Sequence, residues 1–341
     1  MSYRIERDSM GEVKVPASAL YGAQTQRAMD NFGLHRRVLP PAFVHNLAMI
    51  KCAAARANAE CGVLAVAVAS AIEGAAARVT AGEFDGQFPV SLFQTGSGTS
   101  TNMNVNEVLA RLASDASGEP VHPNDHVNCS QSSNDVIPSC ILVSSARQLQ
   151  ETLLPALQAL KVATTRRGEE LSAVTKTGRT HLMDAMPLTF GQEMSAWVSQ
   201  LEECQQRLLA VQPRLHQLPV GGSAVGTGVN VPAGFAGRLV QRLNQLSSLE
   251  FAVAPNAYAR MAGQDVPLEY SAALRSLAVT LTKINNDLMW MASGPLAGLA
   301  EIELQPLQPG SSIMPGKVNP VLPEAVLMVA AEVLGNDSSV A

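Results

Sequence analysis

Residues 274–291 read LRSLAVTLTKINNDLMWM and carry the clearest structural pattern of the chain. Apolar side chains recur there at alternating steps of three and four, at Leu274, Leu277, Leu281, Ile284, Leu288 and Met291. This spacing lays one apolar seam along a helix, as in helices that pack into bundles. A second seam runs through Met194, Trp197, Val198, Leu201, Leu208 and Val211. Thr189 and Gln192 are spaced as a capping box before it, so both seams predict long, packed helices.

The composition sets the fold class. Aromatic residues make up only 4% of the 341 residues, so Leu, Val, Ala and Met must fill the core. The chain is longer than the size, about 250 to 300 residues, at which a single core stops growing. Short helical patterns and turn-rich stretches come first, and long helices separated by polar loops follow. We therefore predict a mainly α protein, with a mixed, mostly helical N-terminal domain at residues 1–130 and a long central helical bundle at residues 131–341.

Charge and cysteine content limit the classes of partner. The net charge is −5, from 24 basic and 29 acidic residues, and there is no basic block. This balance predicts no nucleic-acid partner and no membrane partner. The five cysteines are odd in number and form no CxxC pattern, so reduced thiols are expected. Met1–Glu12 lack an apolar core and no apolar run is long enough to span a bilayer, so a cytoplasmic protein is expected.

A polar loop is predicted at residues 310–320, which read GSSIMPGKVNP. Its glycines allow close backbone approach or positive φ, and its prolines stiffen the segment. Lys317 and Asn319 supply a cation and an amide donor. An ordinary surface loop would explain the glycines and prolines, but not the paired serines, the lysine and the asparagine together. The composition favours a loop that holds a negative charge.

GSSIMPGKVNP resembles the signature loop of the fumarase/aspartase superfamily, whose members add or remove a small group across a carbon–carbon bond next to a carboxylate. The resemblance extends along the chain from Tyr3 onward. It implies that Ser311 is the catalytic base and that Glu324 has a supporting role. It also implies substrate contacts from Ser312, Lys317, Val318 and Asn319.

Residues 95–106 read TGSGTSTNMNVN. Alone this is a weak signal, because such side chains often bond to their own backbone in ordinary loops. Small hydroxyl and amide groups can also present several donors to an anion. The superfamily's substrate-contacting loop is similar, which implies contacts from Ser97, Gly98 and Thr99. Ser97 favours fumarases, since aspartases commonly read TGAG at this position.

Residues 122–135 read HPNDHVNCSQSSND. The histidines and an aspartate suggest a metal site, but Pro123 interrupts a helical i, i+4 pair and no second ligand cluster follows, so we expect no metal. An Asp-rich polar turn is the simpler alternative. The resemblance implies that Ser132, Ser133 and Asn134 grip a substrate carboxylate at a helix start, where the dipole favours negative charge. It also implies a second anion-binding position, formed by His122, Pro123, Asn124 and Asp125.

Residues 178–187 read GRTHLMDAMP. A lone histidine in a helical protein is usually a hydrogen-bonded structural residue, and we expect this of His35, His45, His126 and His216. His181 differs, because it follows Thr180 in a turn similar to that of fumarases, where aspartases usually have glutamine. The resemblance implies that His181 handles the water or hydroxyl side of the reaction and that Thr180 contacts the substrate.

Residues 221–230 read GGSAVGTGVN, a glycine-rich segment that could be taken for a nucleotide loop. It lacks the GK[ST] ending of a P-loop and follows no apolar strand, which argues against nucleotide binding. The superfamily has a similar segment near its site, and the resemblance adds Thr227 and Asn230 as candidate contributors.

Taken as a whole, the resemblance implies a class II fumarase, a lyase that hydrates fumarate to L-malate through an aci-carboxylate intermediate. It implies no metal and no organic cofactor, and a homotetramer in which each active site collects loops from three chains. An aspartate ammonia-lyase stays open, because the NPVLPE segment at residues 319–324 fits it as well. A truncated, non-catalytic homologue also stays open, because relatives continue past Ala341 and their C-terminal domain is expected to be absent here.

Overall fold

The computed structural model describes residues 2–33 and 37–341, so the expectation for His35 falls outside the described residues. Within these ranges the α-helices are α1 (Ala23–Asn31), α2 (Pro41–Glu60), α3 (Val66–Thr80), α4 (Thr99–Ser117), α5 (Ser133–Gln148), α6 (Leu154–Glu170), α7 (Phe190–Leu215), α8 (Phe235–Ser247), α9 (Ala257–Ala262), α10 (Asp265–Met291) and α11 (Val321–Val340). The strands are β1 (Tyr3–Asp8), β2 (Gly11–Pro16), β3 (Thr175–Thr180), β4 (Met183–Thr189), β5 (Gln217–Leu218) and β6 (Ala252–Val253). Single π-helical turns occur at Pro123–Val127 and Leu149–Leu153.

The β-structure of the described residues is limited to three two-stranded sheets. Strands β1 and β2 pair antiparallel, from Tyr3 opposite Pro16 to Asp8 opposite Gly11. Strands β3 and β4 form an antiparallel hairpin, and the short strands β5 and β6 pair in parallel. Since helices supply most of the buried apolar side chains, the prediction of a mainly α protein is confirmed.

The chain forms two compact units. The first unit contains residues 1–147 and 214–264, and the second contains residues 148–213 and 265–341. The boundary near residue 130 that the sequence suggests marks a change from short to long helical patterns, and it stays a prediction.

The core of the first unit is built around α2, which packs against α3, α4 and α8. Helix α2 is rich in alanine, and Ala53, Ala54 and Ala57 are fully buried. Small side chains let the neighbouring helices approach closely, and larger residues then fill the remaining space. These larger residues include the fully buried Leu47, Ile50, Ile72, Leu109 and Leu239. The packing positions α4 within the first unit, and the starts of both α4 and α5 carry predicted site residues.

The second unit contains the long helices that the two seams predict. Along α7 and α10 the seam residues are buried or half-buried, with Trp197, Leu201, Leu208, Val211, Leu277, Ile284 and Met291 buried. Thr189 and Gln192 form the predicted capping box at the start of α7, with N–H to side-chain oxygen distances of 2.9 and 3.1 Å. The buried Asp337 of α11 accepts hydrogen bonds from Ser271 (2.7 Å) and Arg275 (2.6 Å) of α10. Among the described helices, none is both long enough and apolar enough to cross a membrane.

Candidate functional site

Two helix starts of the first unit lie side by side. Gly98 is the N-cap of α4, with φ 69°, a left-handed value that favours glycine. A Cβ atom at Gly98 would lie only 3.0 Å from the Cγ2 atom of Ile137 in α5. Glycine is therefore required here both by the backbone conformation and by the close approach of α5. The Ser97 and Thr99 hydroxyl oxygens, 2.9 Å apart, flank this glycine.

Asp135 holds the start of α5 against the glycine-rich segment 221–224. One carboxylate oxygen accepts the backbone N–H of Ser132 at 2.9 Å. The other accepts the N–H groups of Gly221 at 3.0 Å and Ser223 at 2.9 Å. Burial raises the pKa of this carboxyl group, and the three backbone donors oppose that effect. Because Asn134 also donates to the carbonyl oxygen of Ala224 at 2.9 Å, the two segments are joined at two points.

A cavity of about 530 Å³ opens at this junction. Its lining includes Ser97, Ser133 and Asn134, together with Gly96, Ala224, Val225 and Tyr258. The first unit thus brings the TGSGT loop and the SSN triplet to one cavity. Thr227 and Asn230 are exposed and are not part of this lining.

The predicted second anion position lies along a different cavity of the first unit, of about 780 Å³. His122, Pro123 and Asn124 line it together with three arginines and five acidic residues, whereas Asp125 is not part of this lining. The Nδ1 atom of His122 accepts the N–H of Asp125 at 3.1 Å and so caps the π-helical turn.

The three described histidines with expected structural roles all have hydrogen-bond partners. His45 contacts Asp85 (2.7 Å), His126 accepts the N–H of His122 (3.0 Å), and His216 contacts the carbonyl of Glu250 (3.0 Å). Across the described residues, no three His, Cys, Asp or Glu side chains form a group that could hold a metal ion.

In the second unit, Thr180 and His181 lie at the tip of the β3–β4 hairpin. His181 and Leu182 form its two-residue loop with φ 55° and 61°, as in a type I′ turn. Left-handed conformations are strained for residues other than glycine, and such strain tends to occur at functional sites. Gly178 permits the narrow hairpin, since a Cβ atom there would come within 2.5 Å of the Met186 carbonyl oxygen. Thr180 and His181 line a cavity of about 790 Å³ within this unit.

An ion cluster anchors this hairpin to residues 293–302. Arg179 donates to both carboxylate oxygens of Glu301, at 2.7 and 2.5 Å. The Nζ atom of Lys176, whose side chain is nearly buried, lies 2.5 Å from Glu193 and 3.4 Å from Glu301. The hydrogen bond from Arg179, helped by Lys176, lowers the pKa of Glu301. The cluster therefore fixes the base of the hairpin that carries His181.

The loop at residues 310–320 is closed at its base. The Gly310 N–H donates to the Lys317 carbonyl oxygen at 2.8 Å, and the Asn319 side chain donates to the Gly310 carbonyl oxygen at 2.8 Å. Within the loop, the Ser311 Oγ atom accepts the N–H groups of Ile313 at 3.3 Å and Met314 at 3.2 Å. Ser311 is half-buried, whereas Ser312, Lys317 and Val318 are exposed, and Glu324 lies in the first turn of α11.

Sequence reasoning missed three charged residues next to the predicted site, namely Asp135, Glu301 and Lys51. Lys51 is fully buried in α2, and its Nζ atom donates to the Asn128 side-chain oxygen at 2.9 Å. Burial lowers the pKa of Lys51 to about 7, while Asp135 and Cys140 oppose the change. A single lysine within the apolar, alanine-rich run MIKCAAA was the signal that could have identified it.

Comparisons with known proteins agree on one family. Residues 11–335 match the family model described as Lyase. The chain is 55% identical over 338 residues to a class II fumarate hydratase of Xylella fastidiosa, covering 99% of this chain and 72% of that relative. A class II fumarate hydratase of Mycobacterium tuberculosis is 52% identical over 341 residues, covering 100% of this chain and 72% of the relative. The solved structure of a recombinant class II fumarase from Schistosoma mansoni superposes with a TM-score of 0.95 at 40% identity, covering 98% of this chain and 75% of that one.

Replacing Glu301 by glutamine is expected to destabilise the protein by about 2 kcal/mol at neutral pH, because the buried Lys176 loses a charged partner. The folded-state pKa of Glu301 is lowered from 4.5, so its stabilising contribution is present above pH 4.5 and is lost as pH falls through the lower folded value. The free energy of unfolding is measured by urea titration at several pH values. The difference between the parent and Glu301→Gln should become smaller as the pH is lowered. Glu303→Gln, an exposed change in the same segment, is the control, and a gap that persists in acid would contradict the role of Glu301.

Replacing Lys51 by methionine is expected to change how stability depends on pH. The pKa is 10.5 in the unfolded chain and about 7 in the folded protein, so the unfolded state binds more protons between these values. The parent should gain stability as pH rises through this range, by more than about 1 kcal/mol relative to Lys51→Met. Unfolding free energies measured across the alkaline range test this. Lys283→Met, at an exposed position, serves as the control, and parallel curves for the parent and Lys51→Met would refute the shift.

Proposed function

Since the chain belongs to the class II fumarate hydratases within a family of lyases, we propose that it catalyses the reversible hydration of fumarate to L-malate. The observation that carries this proposal is the geometry of Ser311, whose Oγ atom receives two backbone N–H groups of its own loop. Two such donors favour a negatively charged oxygen at this position. A serine alkoxide is a base strong enough to remove a proton from carbon.

In the direction from malate to fumarate, Ser311 takes the proton from the carbon next to one carboxylate. The electron pair moves into that carboxylate, which becomes a doubly charged aci-carboxylate. The hydroxyl group on the neighbouring carbon then leaves as water, with a proton from His181. Hydration of fumarate is the reverse sequence. No metal or organic cofactor takes part in these steps.

The aci-carboxylate needs positioned hydrogen-bond donors, each worth about 3 to 4 kcal/mol in comparable sites. In this proposal the donors come from helix starts and loops, where backbone N–H groups and the helix dipole favour anions. The substrate-binding set is Ser97, Gly98, Thr99, Ser132, Ser133, Asn134, Thr180, Ser312, Lys317, Val318 and Asn319. Glu324 supports His181. The cavity beside His122, Pro123, Asn124 and Asp125 serves as a second anion site.

The proposal includes a homotetramer in which active sites are shared between subunits. Large apolar side chains are exposed on the long helices of the second unit, at Val279, Trp290, Met328 and Val329. Such a surface fits helices of other copies, because exposed apolar patches commonly mark interfaces. A cytoplasmic location is also part of the proposal and is consistent with the five free cysteines.

The reaction is tested by incubating the purified protein with L-malate, L-aspartate and argininosuccinate in parallel and following ultraviolet absorbance. Fumarate should form from malate without ammonia. Turnover of aspartate with none of malate would instead support the aspartate ammonia-lyase alternative. A folded oligomer that acts on none of the three would support a non-catalytic role.

Replacing Ser311 by alanine is expected to lower kcat by about a hundredfold to ten-thousandfold, because the proton-accepting group is lost. KM for malate should change little, since the hydrogen bonds that close the base of the loop, between Gly310 and residues 317 and 319, do not involve the Ser311 side chain. Ser172→Ala, at an exposed serine of the same unit, is the matched control. Parental turnover in Ser311→Ala would remove Ser311 from its assigned role.

A further inference from the structure

The buried Lys51 lies at one end of a hydrogen-bond network beneath the SSN triplet. The side-chain oxygen of Asn128 accepts three donors, from Lys51 Nζ at 2.9 Å, Asn102 Nδ2 at 3.1 Å and Asn106 Nδ2 at 3.1 Å. Asn102 Nδ2 also lies 3.1 Å from the Ser133 Oγ atom. A continuous path of hydrogen bonds therefore runs from Lys51 to a hydroxyl group of the predicted substrate site.

The chemistry of lysine fixes the direction of these hydrogen bonds. An ammonium group can only donate, so Asn128 must turn its oxygen, and not its NH₂ group, towards Lys51. That oxygen in turn requires the NH₂ groups of Asn102 and Asn106. Asn102 then uses its second N–H on Ser133, whose hydroxyl oxygen acts as the acceptor.

Ser133 consequently keeps its own hydroxyl hydrogen for another partner. Ser133 lines the same cavity as Ser97 and Asn134, and a carboxylate, which can only accept, fits a donor at this point. If the Asn128 amide were reversed, Asn102 would present its oxygen to Ser133 instead. The hydroxyl hydrogen would then turn inwards, away from a carboxylate in the cavity.

The network leaves some polar atoms unsatisfied. The side-chain oxygens of Asn102 and Asn106 are buried and have no hydrogen-bond partner among the described residues. Unsatisfied buried acceptors cost stability, so stability alone does not account for this arrangement. Both amides instead have the orientation that Lys51 requires, together with the hydrogen bond from the Asn128 NH₂ group to the Gln131 carbonyl oxygen at 3.2 Å.

We propose that Lys51 is a positioning residue for the substrate carboxylate: through Asn128 and Asn102 it orients the Ser133 hydroxyl group so that its hydrogen points into the cavity. This inference rests on the proposed function, because the carboxylate belongs to the dicarboxylic acid substrate. The role needs Lys51 in its ammonium form, since a neutral amine also has a lone pair that could accept an amide N–H. Lys51 itself does not touch the substrate.

The test is a double-mutant cycle on KM and kcat for fumarate, with the parent, Lys51→Met, Ser133→Ala and the double variant. Loss of a hydrogen bond to a charged carboxylate should raise KM about tenfold in each single variant. The double variant should show no further increase beyond Ser133→Ala, because Lys51 acts only through Ser133. If Lys51 had a purely structural role, the KM increases of the two single variants would multiply in the double variant, and this result would overturn the inference. A parental KM in Lys51→Met would overturn it too.

Asn46→Leu is the matched control for a lost buried polar group. Asn46 lies on the same helix, is 1% exposed, and bonds to Ser144 and Arg147 instead of to this network. It should lower the thermal midpoint and leave KM unchanged. If Lys51→Met fails to fold, Asn102→Leu breaks the same path beyond Lys51 and should give the same KM increase and the same lack of additivity with Ser133→Ala.

The outcomes separate the two proposals. If the parent protein is folded but does not hydrate fumarate, the proposed function is contradicted, and the inference about Lys51 falls with it because there is no substrate carboxylate to position. An active parent whose KM survives both Lys51→Met and Asn102→Leu contradicts the inference alone.

Discussion

The carboxylate of Asp135 makes the interaction on which the cavity at the start of α5 depends. It accepts three backbone N–H groups, from Ser132, Gly221 and Ser223, and so joins two segments that are far apart in the sequence. Burial alone would favour its neutral form, but the three donors satisfy the charge and fix the backbone of the SSN triplet. Without this contact the start of α5 and the glycine-rich segment would share only the single bond from Asn134.

Local patterns in the sequence were enough to predict much of the fold. The two apolar seams, the capping box at Thr189 and the helix start at Ser133 each depend on residues within one or two helical turns, and the structure contains all of them. Asp135, Glu301 and Lys51 could not be assigned in this way. Their distant partners lie 86, 122 and 77 residues away, so the local spacing does not show what each side chain contacts. Only the packed chain shows which group each of these charged side chains contacts.

In the proposed reaction the two units carry different parts of the chemistry. The first unit supplies the proposed anion donors at helix starts, where the backbone is fixed by regular structure and by Asp135. The second supplies the groups proposed for proton transfer, and both are on tight turns: His181 on a strained hairpin loop and Ser311 in a loop closed by its own hydrogen bonds. The groups proposed for proton transfer thus lie on turns, whereas the proposed binding groups are divided between the helix starts of the first unit and the hairpin and serine loop of the second.

The closed base of the serine loop limits how that segment can move. A Cβ atom at Gly310 would lie 2.7 Å from the Lys317 carbonyl oxygen, so the two sides of the neck touch with no space for a larger residue. The hydrogen bonds from Gly310 to residues 317 and 319 oppose sliding of one side of the loop past the other. A displacement of the loop is therefore expected to be a rigid-body rotation about the residues on either side of this closed base. In such a rotation the Ser311 Oγ atom keeps its hydrogen bonds to the N–H groups of Ile313 and Met314.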